Sequence, residues 1–298
     1  MENAKIGIVT VLYKSETVLE DFFRTLNEQS YKNFILYVID NKSPDNSLDK
    51  SKEFAKSALF ETKFIENDDN YGVAKGNNQG IEAALKDDCD YVLLSNNDVV
   101  LKQDTIEKLY IGLKEMNATM AVPKIYFYGT NKIWAAGGIW DFLRGTTAHL
   151  GLLEEDRGQW DKSANTAYAP TCFMLINASV FQRVGIMDEV YFVYYDDADF
   201  VWRATKKHFE KLVYIHTSQL WHKESTSTGG EKSDFWIYYF HRNSIYFARK
   251  HFLIFHQLFV FCFFFLHYVL RKIFKMTSYQ RSIVRKAYSD TIKMCKKI

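Results

Sequence analysis

The sequence predicts an α/β fold built on a mostly parallel sheet. In the first 122 residues, short runs of β-branched and aliphatic residues alternate with segments of helical spacing, as in successive strand–helix–strand units. The strand-like runs are continuously apolar, which is expected when helices cover both faces of a sheet. The composition agrees, because 47% hydrophobic and 25% charged residues with only 3 Pro exclude a disordered or collagen-like chain.

Each element of this first region has its own signal. The first predicted helix carries Val18, Phe22 and Leu26 on one face, at the spacing that buries one side of a helix. The third predicted helix keeps helical spacing in spite of Gly76 and Gly80. The predicted strands are residues 6–12, 34–39, 63–65 and 91–94, with a fifth that starts at Met120. The predicted helices are residues 17–29, 45–59, 73–85 and 105–116.

The remainder of the chain divides into two regions of different character. Residues 123–230 are less regular and richer in aromatic side chains. Their clearest signals are strand-like runs at 134–140, 167–176 and 212–220 and a helical run at 197–207. We therefore predict one domain over residues 1–230, in halves 1–122 and 123–230, and a helical C-terminal region over residues 231–298.

Charge is distributed unevenly along the chain. The formal net charge is only +2, which gives no general reason to expect nucleic acid as a partner. Residues 251–298 hold nine Lys or Arg and a single acid, whereas the first 250 residues hold 29 Lys or Arg and 35 acids. An acidic body with a basic tail predicts two tasks in two places.

The cysteines and the first residues predict a reducing compartment. The four cysteines are far apart and form no C-x-x-C pair, which argues against a disulfide framework or a structural zinc site. Residues 1–13 do not have the pattern of a signal peptide. We therefore expect the acidic body to stay in the cytosol.

Polar residues stand at the ends of four successive predicted strands. They are Thr10, Asp40, the loop 67–72 and the run 96–98. Ligands of open α/β sheets bind in the crevice at the carboxyl ends of the strands. Asn, Asp and Gly are also ordinary turn residues, so each position alone is compatible with turn chemistry. The four positions together favour a binding crevice.

Two of the polar runs suggest a metal site. Asp98 ends the run Asn96-Asn97-Asp98, and a carboxylate there could hold Mg²⁺ or Mn²⁺ against a substrate diphosphate. His222 follows a strand-like run and could complete such a site, with Lys223 available for a phosphate. A single histidine is more often structural, and that alternative stays open on the residues alone.

A second acidic group favours proton transfer. Asp196, Asp197 and Asp199 follow a run of aromatic residues, so the carboxylates repel one another and lose water. Both effects raise the pKa of a carboxyl group and favour one member as a proton acceptor. Asp196 could also cap the helix predicted over residues 197–207, and the two interpretations are compatible.

These residues, in this order, resemble the inverting glycosyltransferases of family 2, which have the GT-A fold. The resemblance covers roughly residues 5–250, and within the family it is most similar to bacterial rhamnosyltransferase-type enzymes of surface polysaccharide assembly. The matching stretches are residues 8–13, 38–41, 67–72, 76–80, 93–98, 171–176, 195–199, 202–203, 222–225 and 242–243.

The resemblance implies a role for each matching residue. It places a nucleotide-diphosphate sugar in the first half of the domain and the acceptor, a saccharide or lipid-linked saccharide, in the second. It implies that Asp197 is the general base, with Asp196 as the fallback, and that Asp98 and His222 bind the metal. The residues implied around the donor are Thr10, Asp40, Asn70, Gly72, Asn78, Asn96 and Asn97.

The sequence departs from the family pattern at two positions. The first residue of the family's Asp-x-Asp motif is Asn96, which removes one carboxylate from the expected metal site. The usual Glu-Asp pair is Asp196-Asp197, with a shorter first acid. The resemblance leaves the sugar open: dTDP-rhamnose is one candidate donor, and a UDP-hexose or UDP-N-acetylhexosamine is the alternative.

The C-terminal region predicts contact with a membrane. Residues 252–270 are apolar apart from His256, Gln257 and His267, and by length they are near the limit for a spanning helix. One span cannot keep both the body and the basic tail on the cytosolic side. We therefore expect a helix in the plane of the inner leaflet, with the tail on anionic headgroups. A dimer interface, or a helix packed on the body, is the alternative.

Two other functions fit the sequence less well than a transferase does. A sugar-nucleotide nucleotidylyltransferase would need a Gly-rich basic loop after the first strand, where this chain has Tyr13-Lys14-Ser15-Glu16. A non-catalytic scaffold on a lipid surface would not need Asp98, Asp197 and His222 together. The sequence therefore favours the transferase.

Overall fold

The computed structural model describes residues 3–223, 233–274 and 276–295, with side chains left out over residues 267–274. The predicted boundary at residue 230 lies outside the described residues, as do Glu224 and Ser225 of the predicted His222 motif. The basic residues Lys275, Lys296 and Lys297 of the predicted tail also lie outside them.

Strands and helices alternate through the first half, as predicted. The strands are β1 Ile6–Leu12, β2 Phe34–Asp40, β3 Glu61–Glu66, β4 Tyr91–Ser95, β5 Val99–Leu101, β6 Met120–Phe127, β7 Ile133–Ala135, β8 Gly138–Asp141, β9 Thr146–His149, β10 Ala164–Asn165, β11 Phe173–Asn177 and β12 Leu212–His222. The α-helices are α1 Leu19–Asn27, α2 Ser47–Lys56, α3 Gly72–Lys86, α4 Thr105–Glu115, α5 Ala178–Val184, α6 Asp196–Trp202, α7 Asp234–His251, α8 Ile254–Phe274 and α9 Ser278–Cys295.

One sheet runs through both halves of the domain. Its main path has the order β10-β12-β6-β11-β4-β1-β2-β3, with β5 paired to β12 and β7 to β6. The strands β3, β2, β1 and β4 are parallel, as predicted, whereas β11 is antiparallel to both of its neighbours, β4 and β6. The predicted division at residue 122 falls within β6, so the two halves share this sheet.

Two apolar layers cover the opposite faces of the sheet. Ile8 and Val9, neighbours on β1, contribute to different layers because successive side chains of a strand point to opposite faces. The layer that contains Ile8 packs on α1 and α4, and the layer that contains Val9 packs on α3. Gly80 of α3 is needed for this contact, since a Cβ there would lie 2.2 Å from Val9 Cγ1.

The less regular region departs from the predicted elements in three places. The run 134–140 is divided between β7 and β8, and in the run 167–176 the strand starts only at Phe173. The predicted helix 197–207 starts at Asp196 and ends in a π-helical turn, Arg203–Lys207. Asp196 is therefore the first residue of α6 rather than its N-cap, a position that Tyr195 takes without a side-chain cap.

The C-terminal helices pack on the body and on one another. The helix α9 packs on α7 and buries Val284 and Ala287 there, whereas Ile292 of the same helix is 59% exposed. The inner face of α8 buries Val260 and Phe264. Within the described ranges, none of the helices combines the length and apolarity that crossing a membrane requires.

Candidate active site

A cleft of about 680 Å³ opens at the carboxyl ends of β1 and β4, where the sequence predicts a ligand crevice. Asp98, Asp197 and His222 all line it. Its wall is made by Val11, Tyr13, Lys14, Ser15, Asn41, Asn70, Gly72, Val73, Asn77, Ser95, Asn96, Asn97, Trp134, Pro170, Thr171, Cys172, Phe192, Val193, Tyr194, Asp196 and Phe235.

Strand pairing brings Asp98 and His222 together. The short strand β5 runs antiparallel to the end of β12, so that His222 is opposite Val99 and the Lys223 N–H donates to the Asp98 carbonyl at 2.8 Å. Asp98 Oδ1 and His222 Nε2 consequently lie 3.1 Å apart, with side chains 13% and 7% exposed. The His222 ring also packs edge-on against Trp134, with centroids 4.7 Å apart.

The Asp98–His222 pair fits a divalent cation. Asp98 Oδ1 and both ring nitrogens of His222 are buried, and apart from the 3.1 Å contact between Oδ1 and Nε2 none of them has a hydrogen-bond partner among the described residues. Burial opposes ionisation of Asp98, but the adjacent imidazole outweighs it and keeps the pKa of the carboxyl below its ordinary value. Clusters of three potential metal ligands are absent from the described residues. One or two protein ligands are common where substrate phosphates supply the remainder.

Four of the residues predicted around the donor line the cleft: Asn70, Gly72, Asn96 and Asn97. The Asn70 side chain accepts from the Gly72 N–H at 3.0 Å, at the start of α3. Asn97 Nδ2 donates to the Val11 carbonyl at 2.8 Å and so joins the loop after β4 to the end of β1.

The other three predicted donor residues, Thr10, Asp40 and Asn78, are buried and do not line the cleft. The hydroxyl of Thr10 lies behind Asn97, 3.5 Å from its amide nitrogen. Asp40 accepts from the Ser43 N–H at 3.2 Å, and Asn78 donates to the Met187 carbonyl at 3.0 Å. In this structure their side chains therefore contact other parts of the cleft wall and have a structural role.

Asp196 is buried and Asp197 is half-buried in the cleft wall, and the two have different partners. Burial, followed by the charge of Asp197, raises the pKa of Asp196 well above the usual carboxyl range. Burial also raises the pKa of Asp197, although a 2.6 Å hydrogen bond from the Tyr168 hydroxyl to Oδ2 opposes the shift. The hydrogen bond from Tyr168 favours the ionised form of Asp197 over that of Asp196.

Lys223 and Cys172 have structural roles in this structure. Lys223 does not line the cleft, because its ammonium group donates to Asp21 Oδ2 at 2.5 Å and lies over the Tyr128 ring. Cys172 does line it, but burial and then the charges of Asp98 and Asp197 raise the pKa of its thiol well above the ordinary value. A protonated, buried thiol is a poor nucleophile, so Cys172 has a packing role in the cleft wall.

Several lining residues were not predicted. Trp134 belongs to β7 and touches His222, and Phe192 and Phe235 close the opposite wall. Lys14, which has φ 56° at the end of β1, adds a cation to the rim. A basic residue after the first strand was visible in the sequence, whereas the aromatic residues reach the cleft through long-range packing.

The comparison with known families agrees with the fold and with this cleft. The sequence profile of Glycosyl transferase family 2 matches residues 7–185, and the chain belongs to this family. The predicted family is thereby confirmed. The matched segment contains Asp98 but ends before Asp196, Asp197 and His222.

Two curated relatives are transferases. The chain is 26% identical over 205 residues to the low-salt glycan biosynthesis hexosyltransferase Agl10 of Haloferax volcanii. The aligned residues cover 68% of this chain and 62% of that protein. It is 26% identical over 219 residues to the dTDP-rhamnosyl transferase RfbF of Shigella flexneri, which covers 72% of this chain and 67% of that protein. The chain thus spans about three fifths of the length of the archaeal relative.

Solved structures share the fold at low identity. S. aureus TarS 1-349 in complex with UDP-GlcNAc has a TM-score of 0.61 at 14% identity, over 97% of this chain and 81% of that one. GalNAc-T7 with UDP, GalNAc and Mn²⁺ has a TM-score of 0.61 at 14% identity, over 84% of this chain and 51% of that one. The predicted α/β fold of the GT-A type is confirmed.

Proposed function

We propose that this protein is an inverting, metal-dependent glycosyltransferase that moves a sugar from a nucleotide-diphosphate donor to a saccharide or lipid-linked saccharide. The observation that carries the proposal is that one cleft holds both the Asp98–His222 pair and two carboxylates of raised pKa, Asp196, which is buried, and Asp197, which is half-buried. The first arrangement suits a diphosphate with its cation, and the second suits proton removal from an alcohol.

The side chains have distinct tasks in this reaction. Asp98 and His222 would hold a divalent cation, Mg²⁺ or Mn²⁺, which when bound neutralises charge on the leaving diphosphate. Asp197 takes the proton of the acceptor hydroxyl while that oxygen bonds to the anomeric carbon. The bond from that carbon to the diphosphate oxygen breaks, and the nucleoside diphosphate leaves from the opposite face, which inverts the anomeric configuration.

Replacement of the base tests this assignment. We expect Asp197→Asn to lower turnover by about 10²-fold or more, because an amide cannot accept the proton. Donor affinity, measured by isothermal titration, should stay near that of the native protein. Asp196→Asn is the matched variant: if turnover collapses there and stays near normal in Asp197→Asn, Asp196 is the base.

The donor sugar is the finer part of the proposal. A dTDP-rhamnose donor is favoured by the sequence pattern and by the similarity to RfbF, and a UDP-sugar is the alternative. A screen of nucleotide sugars with Mg²⁺ or Mn²⁺, read as released nucleoside diphosphate, decides between them. Absence of release and of transfer with every donor and acceptor tested would favour the non-catalytic scaffold instead.

We further propose that the enzyme works on the cytoplasmic face of the membrane, with α8 in the plane of the bilayer. Over the part of α8 whose side chains the structure describes, the exposed large apolar residues are Ile254, Phe255, Leu258, Phe259, Phe261, Phe265 and Leu266. Phe142 and Leu143, at the tip of the β8–β9 hairpin, are 43% and 73% exposed, and the Phe142 carbonyl lies 2.7 Å from His256 Nε2 on α8.

Charge favours an anionic lipid surface over a second copy of the chain as the partner of this face. Residues 251–298 hold nine basic residues and one acid, and Arg285 and Lys286 are exposed on α9. Each basic residue near an anionic membrane contributes about 1 kcal/mol. Two copies facing each other here would instead bring like charges together. A homodimer through this face is therefore the less favoured alternative.

A further inference from the structure

Arg242 and Asn243 stand on α7, behind the loop that leads into α6. Neither residue lines the cleft. Asn243 is fully buried, and its side-chain oxygen accepts from Arg242 Nε at 2.8 Å, so the two side chains form one unit. The proposed mechanism assigns no role to Arg242 or Asn243, although both residues belong to the stretches that resemble the family.

This unit holds the backbone of residues 190–194. Asn243 Nδ2 lies 3.0, 2.8 and 2.9 Å from the carbonyl oxygens of residues 191, 193 and 194. Arg242 Nη2 lies 2.9 and 2.6 Å from those of residues 190 and 191. The remaining carbonyl, that of Phe192, accepts from the Val73 N–H at 2.6 Å. Five successive carbonyls thus receive donors from α7 and α3.

The loop needs such support because its conformation is unfavourable. Phe192, Tyr194 and Tyr195 have φ of 67°, 60° and 65°, in the left-handed region that large side chains rarely adopt. Non-glycine residues persist there only where their surroundings determine the backbone. The next two residues after this loop are Asp196 and Asp197, so its path sets where their carboxyl groups point.

A second attachment lies beyond the two carboxylates. Asp199 of α6 is fully buried, its carboxylate accepts from Arg203 Nε at 2.7 Å, and Lys250 Nζ forms an ion pair with it at 2.7 Å. The His251 ring nitrogen Nε2 lies 2.7 Å from the same carboxylate. Lys250 and His251 are the last residues of α7, so one helix fixes the chain on both sides of Asp196 and Asp197.

We propose that Arg242 and Asn243 are positioning residues, whose hydrogen bonds to residues 190–194 fix the strained loop that directs Asp196 and Asp197 into the cleft. The inference rests on the proposed function, since it assigns the base to this pair. It adds a requirement for α7, which does not itself contact the reacting groups.

The test is Asn243→Ala, read in two independent ways. We expect kcat to fall about 10²-fold, since small displacements of a catalytic group cost that much. The KM for the donor should stay within twofold, because the variant touches no donor-side residue. Hydrogen–deuterium exchange of peptides covering residues 188–199 should become at least tenfold faster, with β2 unchanged. This second readout does not depend on any activity.

Gln257→Ala is the matched control, since it also truncates an amide side chain, removes the hydrogen bond that α8 donates to the Phe252 carbonyl at the end of α7, and leaves Arg242, Asn243 and the loop unchanged. It should keep native kcat and native exchange. Arg242→Lys retains the charge, loses the guanidinium bonds, and replaces Asn243→Ala if that variant fails to fold. A folded variant with kcat within threefold of native and unchanged exchange overturns the inference. If the native protein transfers no sugar, the proposed function fails, and exchange alone decides whether Asn243 holds the loop.

Discussion

Tyr168 hydrogen-bonds to only one of the neighbouring carboxyl groups of Asp196 and Asp197, and the resulting difference in their pKa values has a measurable consequence. Its hydroxyl donates to Asp197 Oδ2 at 2.6 Å, whereas Asp196 depends on backbone hydrogen bonds within the pair's own turn. Both acids titrate as a coupled pair, so activity reports the pair's macroscopic pKa values. Because burial raises both, the pair should carry one shared proton at a pH where an ordinary aspartate has none.

We expect Tyr168→Phe to move the rising limb of the kcat–pH profile to higher pH. Loss of the hydrogen bond removes an interaction that lowers the pKa of Asp197, so a smaller fraction of the base is ionised at pH 7. A hydrogen bond to a charged group contributes about 1.5–3 kcal/mol, which corresponds to a loss of about tenfold or more at pH 7, recovered in alkaline buffer. Tyr214→Phe, which loses only a bond to the Trp160 carbonyl, is the control. A lower plateau with an unmoved limb would contradict the assignment.

Replacement of either Asp98 or His222, the proposed metal ligands, should weaken donor binding only when metal is present. We expect Asp98→Ala and His222→Ala each to lower donor affinity about tenfold or more with Mn²⁺, since each deletes one of two protein ligands. Isothermal titration in excess chelator provides the control, because both variants should there match the native protein. Native activity that persists in chelator would refute metal dependence.

Single-residue predictions succeed where chemistry and local pattern coincide. Asp98 and Asp197 follow short, recognisable runs, so both reach the cleft as the sequence suggests. The hydrogen bond from Tyr168 to Asp197 is not visible in the sequence, since it depends on where two distant segments pack. Lys223 did not reach the cleft, because it forms an ion pair with Asp21. Nothing near Lys223 in the sequence indicates this distant partner.

At the scale of elements, the start of α3 depends on a close approach. Gly72 has φ +84°, and a Cβ there would lie 2.5 Å from the Phe192 carbonyl oxygen. That carbonyl is the acceptor for the Val73 N–H. A side chain at position 72 would therefore push α3 away from the loop before α6.

We expect Gly72→Ala to destabilise the protein by more than Gly129→Ala. Gly129 has φ +71° with nothing within 4 Å of its Cβ position, so its variant reports the backbone strain alone, about 1–3 kcal/mol. The difference between the two free energies of unfolding, measured with denaturant, isolates the clash at Phe192. Equal losses would mean that the loop yields without cost.

Elements were predictable where apolar runs were long and regular. The strands β1, β2 and β4 and the helix α4 lie within a residue or two of their predicted bounds. The three-residue strand β5 was missed, because a run that short has no periodicity and forms only by pairing with β12. The antiparallel entry of β11 likewise follows from chain connection, which apolar patterning does not encode.

At the scale of the molecule, the outer face of α8 predicts binding to anionic vesicles. We expect Phe255→Asp to weaken partitioning onto vesicles with anionic lipid about tenfold or more, since burying a phenylalanine contributes about 1.5–3 kcal/mol. Phe209→Asp is the matched control, because Phe209 is 85% exposed and lies outside α8 and the hairpin tip. Equal binding of the two variants, or a native protein that ignores vesicles and dimerises through α8, would refute the membrane proposal.

The packing of α9 on α7 bears on how this protein can be shortened. Thr291 donates to the Arg242 carbonyl at 2.8 Å, and Val284 and Ala287 are buried beneath the same helix. An apolar C-terminal segment is often removed to obtain protein that is easier to purify. A cut before Ser278 would here expose the side of α7, the helix that holds the loop before Asp196 and Asp197. Loss of turnover in such a truncated protein would therefore say nothing about the intact chain.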